Sequence, residues 1–156
     1  MQSREHLETY SSISRIEAEA YLDMAVGQVR NNLKDFTRQF PDSNSRNGIY
    51  PGTENVEWTT GFWTGEVWLS YERTGEKCFR EAGLEQVTSF LDRIRQKKDV
   101  DNHDMGFLYT PSCVAAYLLT GDETAKKAAL LAADQLMGRF QEKGQFFQAW
   151  GELGAE

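Results

Sequence analysis

Apolar residues recur along this chain at helical spacing, in two kinds of stretch. Leu22, Ala25, Val29, Leu33, Phe36 and Phe40 fall three and four positions apart, a single stripe that predicts an amphipathic helix. Ser14, with Glu17 three positions on, opens it as a capping box, and Pro41 closes it. From about Gly61 to Thr74 the apolar residues Phe62, Trp63, Val67, Trp68, Leu69 and Tyr71 nearly surround the axis. Such a helix is expected to be buried on most sides, with Gly75 as its stop. From about Lys77 to Lys97 the stripe narrows to Leu84, Val87, Leu91 and Ile94 against a charged face, as in an outer helix. The buried kind returns from Pro111 to Thr120, ended by Gly121. The amphipathic kind returns from Glu123 to Phe140, with Leu130, Ala133, Met137 and Phe140 on the expected buried face. Residues 1–13 read as polar and loose. Residues 42–57 read as a long loop, of the sort that is often functional.

The two kinds alternate because the sequence repeats. Tyr71-Glu72-Arg73-Thr74-Gly75-Glu76 falls on Tyr117-Leu118-Leu119-Thr120-Gly121-Asp122 at an offset of 46, and Ala82, Leu84, Val87, Leu91 and Ile94 fall on Ala128, Leu130, Ala133, Met137 and Phe140 at the same offset. Gly61-Phe62 matches Gly106-Phe107 at an offset of 45. Each unit is a loop, a Gly-Phe pair, a buried helix, a Thr-Gly-acid turn and an amphipathic helix. An α/α toroid needs this alternation, because inner helices touch neighbours all round and outer helices face water. An open helical solenoid has a similar period, but its helices are usually both amphipathic. The fold class is therefore all-α, an (α/α)6 toroid of which these residues supply an incomplete barrel of about five helices, residues 1–156 forming one domain.

Composition narrows the class of function. Apolar residues make up 40% and charged residues 26%, the balance of a soluble globular protein. Aromatics reach 12%, with four tryptophans, a surplus suited to a ligand groove or a large core. The net charge of -7 argues against a nucleic-acid partner, which needs clustered Lys and Arg. No apolar run approaches the roughly 20 residues of a membrane span, and no signal peptide is visible after Met1. Cys78 and Cys113 are the only cysteines, and two buried free thiols are expected rather than a disulfide or a metal pair. Together these features suggest a cytoplasmic protein.

The candidate chemistry lies where the repeat places it. Trp58, His103 with Asp104, and Trp150 stand 45 to 46 residues apart, each just before a buried helix or its expected start. Equivalent points of a toroid share one mouth, so tryptophan, imidazole and carboxylate would converge on one cavity. Aromatic faces stack on sugar CH groups, and carboxylates bind hydroxyls or move protons. Asp104 could equally cap the helix that follows it, and His103 could be a satisfied, partly buried histidine. Asp101 reads as a turn residue. Asp101, His103 and Asp104 make a poor metal site, because adjacent ligands seldom close a coordination sphere. Trp63, Trp68 and Tyr71 read as core. No phosphate loop, Cys-x-x-Cys pair or Ser-His-Asp order is present.

Three ordered motifs carry a family resemblance: Glu57-Trp58-Thr59-Thr60-Gly61-Phe62-Trp63-Thr64-Gly65, His103-Asp104-Met105-Gly106-Phe107-Leu108-Tyr109, and Ala149-Trp150-Gly151. Over residues 16–156 the chain resembles the unsaturated glucuronyl hydrolases, glycoside hydrolase family 88. The related unsaturated rhamnogalacturonyl hydrolases share the fold. The resemblance implies an (α/α)6 barrel that releases a terminal 4,5-unsaturated uronic acid from lyase-generated oligosaccharides. In that family an aspartate protonates C4 of the vinyl ether and helps water add at C5. The hemiketal then opens and the glycoside is lost. The resemblance makes Asp104 the aspartate that supports the proton donor, and makes Trp58, His103, Phe107 and Trp150 the residues that shape the sugar subsite. It implies no cofactor. The second aspartate, the general acid/base, is expected shortly after Trp150 and ahead of a further inner helix. The residues that hold the substrate carboxylate are also expected later. A six-unit toroid at this period needs at least roughly 270 residues, so the chain is expected to be inactive alone and to self-associate through exposed inner-helix surface. The alternative is a non-catalytic carbohydrate-binding or helical interaction module.

Overall fold

The computed structural model describes residues 12–149 and 151. The loose start and Trp150 therefore lie outside the described residues, except for residues 12 and 13. Helix α1 (Arg15–Phe36) opens on the Ser14–Glu17 capping box, both halves of which are formed. Helix α2 (Thr60–Thr74) ends on Gly75, and α5 (Ala115–Thr120) on Gly121, each at φ 71°, a left-handed stop that suits glycine. Between them lies α3 (Lys77–Arg95), and α6 (Glu123–Met137) follows α5. The second buried stretch is longer than expected. It begins at α4 (Met105–Tyr109) and runs through a π-helical turn (Thr110–Val114) into α5. Proline 111 explains the interruption: it has no N–H to give the Phe107 carbonyl, so the helix widens for one turn. Counting 105–120 as one helix, the described residues form five.

The long loop is not featureless. Strand β1 (Phe40–Pro41) pairs antiparallel with β2 (Gly52–Thr53), with Phe40 opposite Thr53. Strand β3 (Phe140–Gln141) pairs with β4 (Phe146–Phe147) in the same way. Helix α1 stops at Phe36, ahead of Pro41. Its final carbonyl, that of Phe36, accepts from Trp63 Nε1 at 2.8 Å and from Gln86 Nε2 at 2.7 Å, so both neighbouring helices fasten its orphan end.

The core is built as the alternation requires. Helix α2 buries Thr60, Gly61, Trp63, Thr64, Gly65, Val67, Trp68 and Ser70 and leaves one open strip, Phe62, Glu66, Leu69 and Arg73. Helix α3 buries Val87, Leu91 and Ile94 and keeps a charged outer face. Helix α6 departs from expectation. It buries Ala125, Ala128 and Ala132, while Leu130 and Met137 are exposed. Its small side chains allow a close approach to α3 and the π turn, and the larger ones lie on the opposite side. Helix α1 likewise buries Val26 and Val29 and leaves Leu22 exposed. Among the described residues no helix is long and apolar enough to cross a membrane.

The inner helices touch through backbone. A Cβ on Gly61 would stand 2.6 Å from the Leu108 Cα, 2.5 Å from its carbonyl oxygen and nearer still to the carbonyl oxygen of Phe107. A Cβ on Gly65 would stand 2.8 Å from that of Pro111. Two glycines four apart on one face of α2 therefore let 105–120 lie directly against it, and this fixes the distance between the two site-bearing segments.

The cysteines differ from expectation. Both are free, but only Cys113 is buried, while Cys78 is exposed. Burial pushes the Cys113 thiol up to about 12, and only the thiolate reacts. An aromatic disulfide reagent at neutral pH should therefore modify one thiol per folded chain promptly, and the second only after denaturation. Two prompt equivalents would mean that the helix around Cys113 opens readily.

Candidate functional site

The site forms at the end of the inner helices where their N-termini lie. Trp58 sits in the turn before α2, and Phe62 follows one helical turn later on the open strip. Phe107 occupies the matching position near the start of 105–120. The crossing at Gly61 brings the three rings together. Phe62 and Phe107 have centroids 5.4 Å apart, Trp58 and Phe62 meet edge-on at 6.2 Å, and Trp58 and Phe107 are 6.5 Å apart. All three are substantially exposed, Trp58 at 47%, Phe62 at 42% and Phe107 at 49%. Rings that pair with one another yet keep open faces are unusual in a monomer surface and suit a ligand. Trp58 is a candidate from the repeat and Phe107 from the family resemblance, whereas the sequence places Phe62 inside the inner helix. Its position in the Gly-Phe pair, matched to Phe107 by the repeat, was the available signal.

His103 and Asp104 lie beside these rings. Phe62, His103, Gly106, Phe107, Thr110 and Pro111 line an open depression of 520 Å³. His103 Nε2 is 3.4 Å from Asp104 Oδ1, and both side chains are partly buried. Asp104 occupies the N-cap position of α4, but its side chain makes no capping hydrogen bond. The carboxylate is turned to the imidazole instead, so capping does not account for it. The turn that presents the pair is held by Asn102. Its Oδ1 accepts from the Asp104 N–H at 3.0 Å, and its Nδ2 donates to the Asp99 carbonyl at 3.2 Å. Among the described residues no group of three or more His, Cys, Asp or Glu side chains could hold a metal ion. A more apolar groove of 580 Å³ runs between α1 and α2, past Leu22, Val26, Trp63 and Leu69. Its lining includes the carboxylates of Glu66 and Glu72 but no imidazole, whereas the smaller depression holds His103 beside Asp104 and two of the three clustered rings.

Two arginines hold the loops that carry these residues. Arg93, only 2% exposed, donates from Nη1 to Asn55 Oδ1, to the Glu57 carbonyl and to Thr60 Oγ1. Its Nη2 donates to the carbonyls of Val56 and Asp99, and its Nε to that of Lys98. It thereby joins the turn bearing Trp58 to the start of the turn bearing His103. Burial lowers the Arg93 pKa, opposed by the charges of Tyr109, Asp99 and Glu57. Arg139, also 2% exposed, contacts Asp101, Gln148 and Gly151. Neither arginine stands out in the sequence, where Arg93 is one of many charges in an amphipathic stretch. Their offset of 46, the same as the rest of the repeat, was legible.

No protein-family model matches the chain. Curated relatives and solved structures do. The unsaturated chondroitin disaccharide hydrolase of Streptococcus pneumoniae is 46% identical over 142 residues, covering 91% of this chain and 36% of that protein. The crystal structure of an unsaturated glucuronyl hydrolase from Streptococcus agalactiae superposes with a TM-score of 0.92 at 43% identity, covering 99% of this chain and 39% of that one. A mutant of the S. agalactiae enzyme, solved in complex with dGlcA-GalNAc6S, superposes at 0.83 with 39% identity over 89% of this chain and 37% of that one. The chain thus spans little more than a third of the length of the relatives it matches. Over the length they share, the chain matches these unsaturated glucuronyl and chondroitin disaccharide hydrolases in both sequence and fold.

Proposed function

We propose that the depression beside His103 takes the terminal ring of an oligosaccharide carrying a 4,5-unsaturated uronic acid, and that the chain serves its hydrolysis by hydration of the vinyl ether. The observation that carries this reading is the meeting of three exposed aromatic faces with an imidazole–carboxylate pair. The relative solved with dGlcA-GalNAc6S supports it. The flat unsaturated ring packs on Trp58, Phe62 and Phe107, since apolar sugar faces gain from aromatic contact. Protonation at C4 and addition of the water oxygen at C5 give a hemiketal, whose opening releases the glycoside. In this scheme Asp104 supports the proton donor, a second aspartate that the family resemblance puts after Trp150, and His103 orients the sugar hydroxyls. The role of Trp150 belongs to the same proposal.

Tryptophan fluorescence titration with an unsaturated disaccharide tests the binding half of the reading. The chain should bind it, and Trp58→Ala should weaken binding roughly tenfold or more, as loss of a central aromatic anchor does. A chain that fails to bind at millimolar ligand, or a Trp58→Ala variant that binds as well as the parent, would overturn it. Loss of the substrate's near-ultraviolet absorbance reports turnover directly. Residues 1–156 alone should show none, and turnover by them would overturn the role given to the second aspartate.

A further inference from the structure

The second clamp sits closest to the proposed chemistry. Arg139 Nη1 donates to Asp101 Oδ1 at 2.8 Å and to the Asp101 carbonyl at 3.1 Å. Its Nε donates to the Gln148 carbonyl at 2.8 Å, and its Nη2 to the Gly151 carbonyl at 3.0 Å. Asp101 lies two residues before His103. Gln148 and Gly151 flank Trp150 in sequence. Every one of these partners belongs to a segment that carries a candidate site residue, and none belongs to the helical core. Arg93 builds the same junction one unit earlier: it reaches Asn55 across 38 positions, as Arg139 reaches Asp101 across 38. Each of the two units thus carries a buried arginine close to the end of its outer helix, Arg93 in the last turn of α3 and Arg139 just past α6. That arginine grips an Asn or Asp at the start of its own unit's site loop, together with the carbonyls of the loop that follows.

We propose that Arg139 is a positioning residue of the site, acting through Asp101. A planar fork with five N–H donors fixes two backbone segments and one carboxylate in a single plane. The turn carrying His103 and Asp104 cannot move against Gln148 and Gly151 without breaking a buried guanidinium bond. The first clamp uses a neutral amide where the second uses a carboxylate, so geometry rather than charge is what the junction requires. The effect on sugar binding rests on the function proposed above, whereas the effect on the placement of His103 does not.

The test uses the full chain in a His6→Gln background, which leaves His103 as the sole histidine, because the sequence has two. Asp101→Ala should shift the nitrogen-15 imidazole signal of His103 while far-ultraviolet circular dichroism shows the helices intact. It should also weaken unsaturated-disaccharide binding roughly tenfold or more, the usual cost of a small misplacement in a site. Asp101→Asn, which rebuilds the Asn55–Arg93 pairing, should restore most of both losses. Arg139→Lys keeps a charge but not the fork, and should move the imidazole signal in the same direction as Asp101→Ala. An unmoved imidazole signal in both Asp101→Ala and Arg139→Lys overturns the proposal, as does an Asp101→Asn variant no better than Asp101→Ala. A parent chain that fails to bind the disaccharide sinks the proposed function alone, and the imidazole comparison still decides the positioning role.

Discussion

Gly61→Ala lowers the stability of the folded chain by about 2–4 kcal/mol, although alanine is the better helix former. Replacing an interior glycine by alanine ordinarily gains up to about 1 kcal/mol. Here the added methyl would stand within 2.6 Å of the Leu108 Cα and closer to two carbonyl oxygens. Those atoms are backbone of a packed helix, so nothing can rotate away, and the two inner helices must separate. Overpacking of this kind costs about 1–3 kcal/mol and more when backbone has to shift. Gly106→Ala is the control. The repeat aligns Gly106 with Gly61, but a Cβ there meets nothing within 4 Å, and its effect should lie between zero and a gain of about 1 kcal/mol. Urea denaturation of the two variants decides the matter. Equal stabilities would show that the helices do not cross as described. Because the same crossing sets the Phe62–Phe107 spacing, Gly61→Ala should also disturb the aromatic cluster.

That pair of glycines also shows how far the sequence could be read. The 46-residue offset and the change between broad and narrow apolar faces are enough to give the order and type of all five described helices and the approximate limits of four of them. They were also enough to put Trp58 and Phe107 near one end of the inner helices. What periodicity could not show is how two helices sit against each other. Gly61 and Gly106 look alike in the repeat, yet one faces backbone and the other open space. The same limit explains α6. Leu130 and Met137 look like its buried face by hydrophobicity, but the alanines allow the closer approach and take the core side instead. The start of the second inner helix was missed because Pro111 reads as a boundary, whereas a π turn absorbs it. Asp104 stays open between cap and catalysis in the sequence, because only the structure shows its side chain turned toward His103 with no capping hydrogen bond. Arg93 and Arg139 were hidden for a different reason. On a helical wheel an arginine counts as a solvent-facing charge, and only loops distant in sequence supply the acceptors that bring it inside.

Arg93→Met should be the costliest substitution of a charged residue in the chain, with a loss of about 3–5 kcal/mol. Methionine keeps much of the length and packing of the arginine stem, so the change isolates the guanidinium. Its removal takes a donor from Asn55 Oδ1, Thr60 Oγ1 and the carbonyls of Val56, Glu57, Lys98 and Asp99 together, although Thr60 Oγ1 still reaches Asn55 Oδ1 and the Glu57 carbonyl, and Asn102 Nδ2 still reaches the Asp99 carbonyl. Each buried acceptor left without a donor costs about 1–3 kcal/mol, and water entering the two turns recovers part of that total. The exposed Arg38–Glu85 pair, with side chains 86% and 47% accessible, is the contrast. Arg38→Ala should cost no more than about 0.5–1 kcal/mol, because solvent screens the pair and both side chains regain freedom. Arg93→Lys should fall between the two, since one ammonium cannot serve six acceptors arranged around a fork. Against a total stability of about 5–15 kcal/mol, the Met variant would sit near the folding threshold. Equilibrium denaturation of the three variants measures the ordering. If Arg93→Met costs no more than Arg38→Ala, the guanidinium does not hold the two turns together, and the register between the loops of Trp58 and His103 must come from the Gly61 crossing alone.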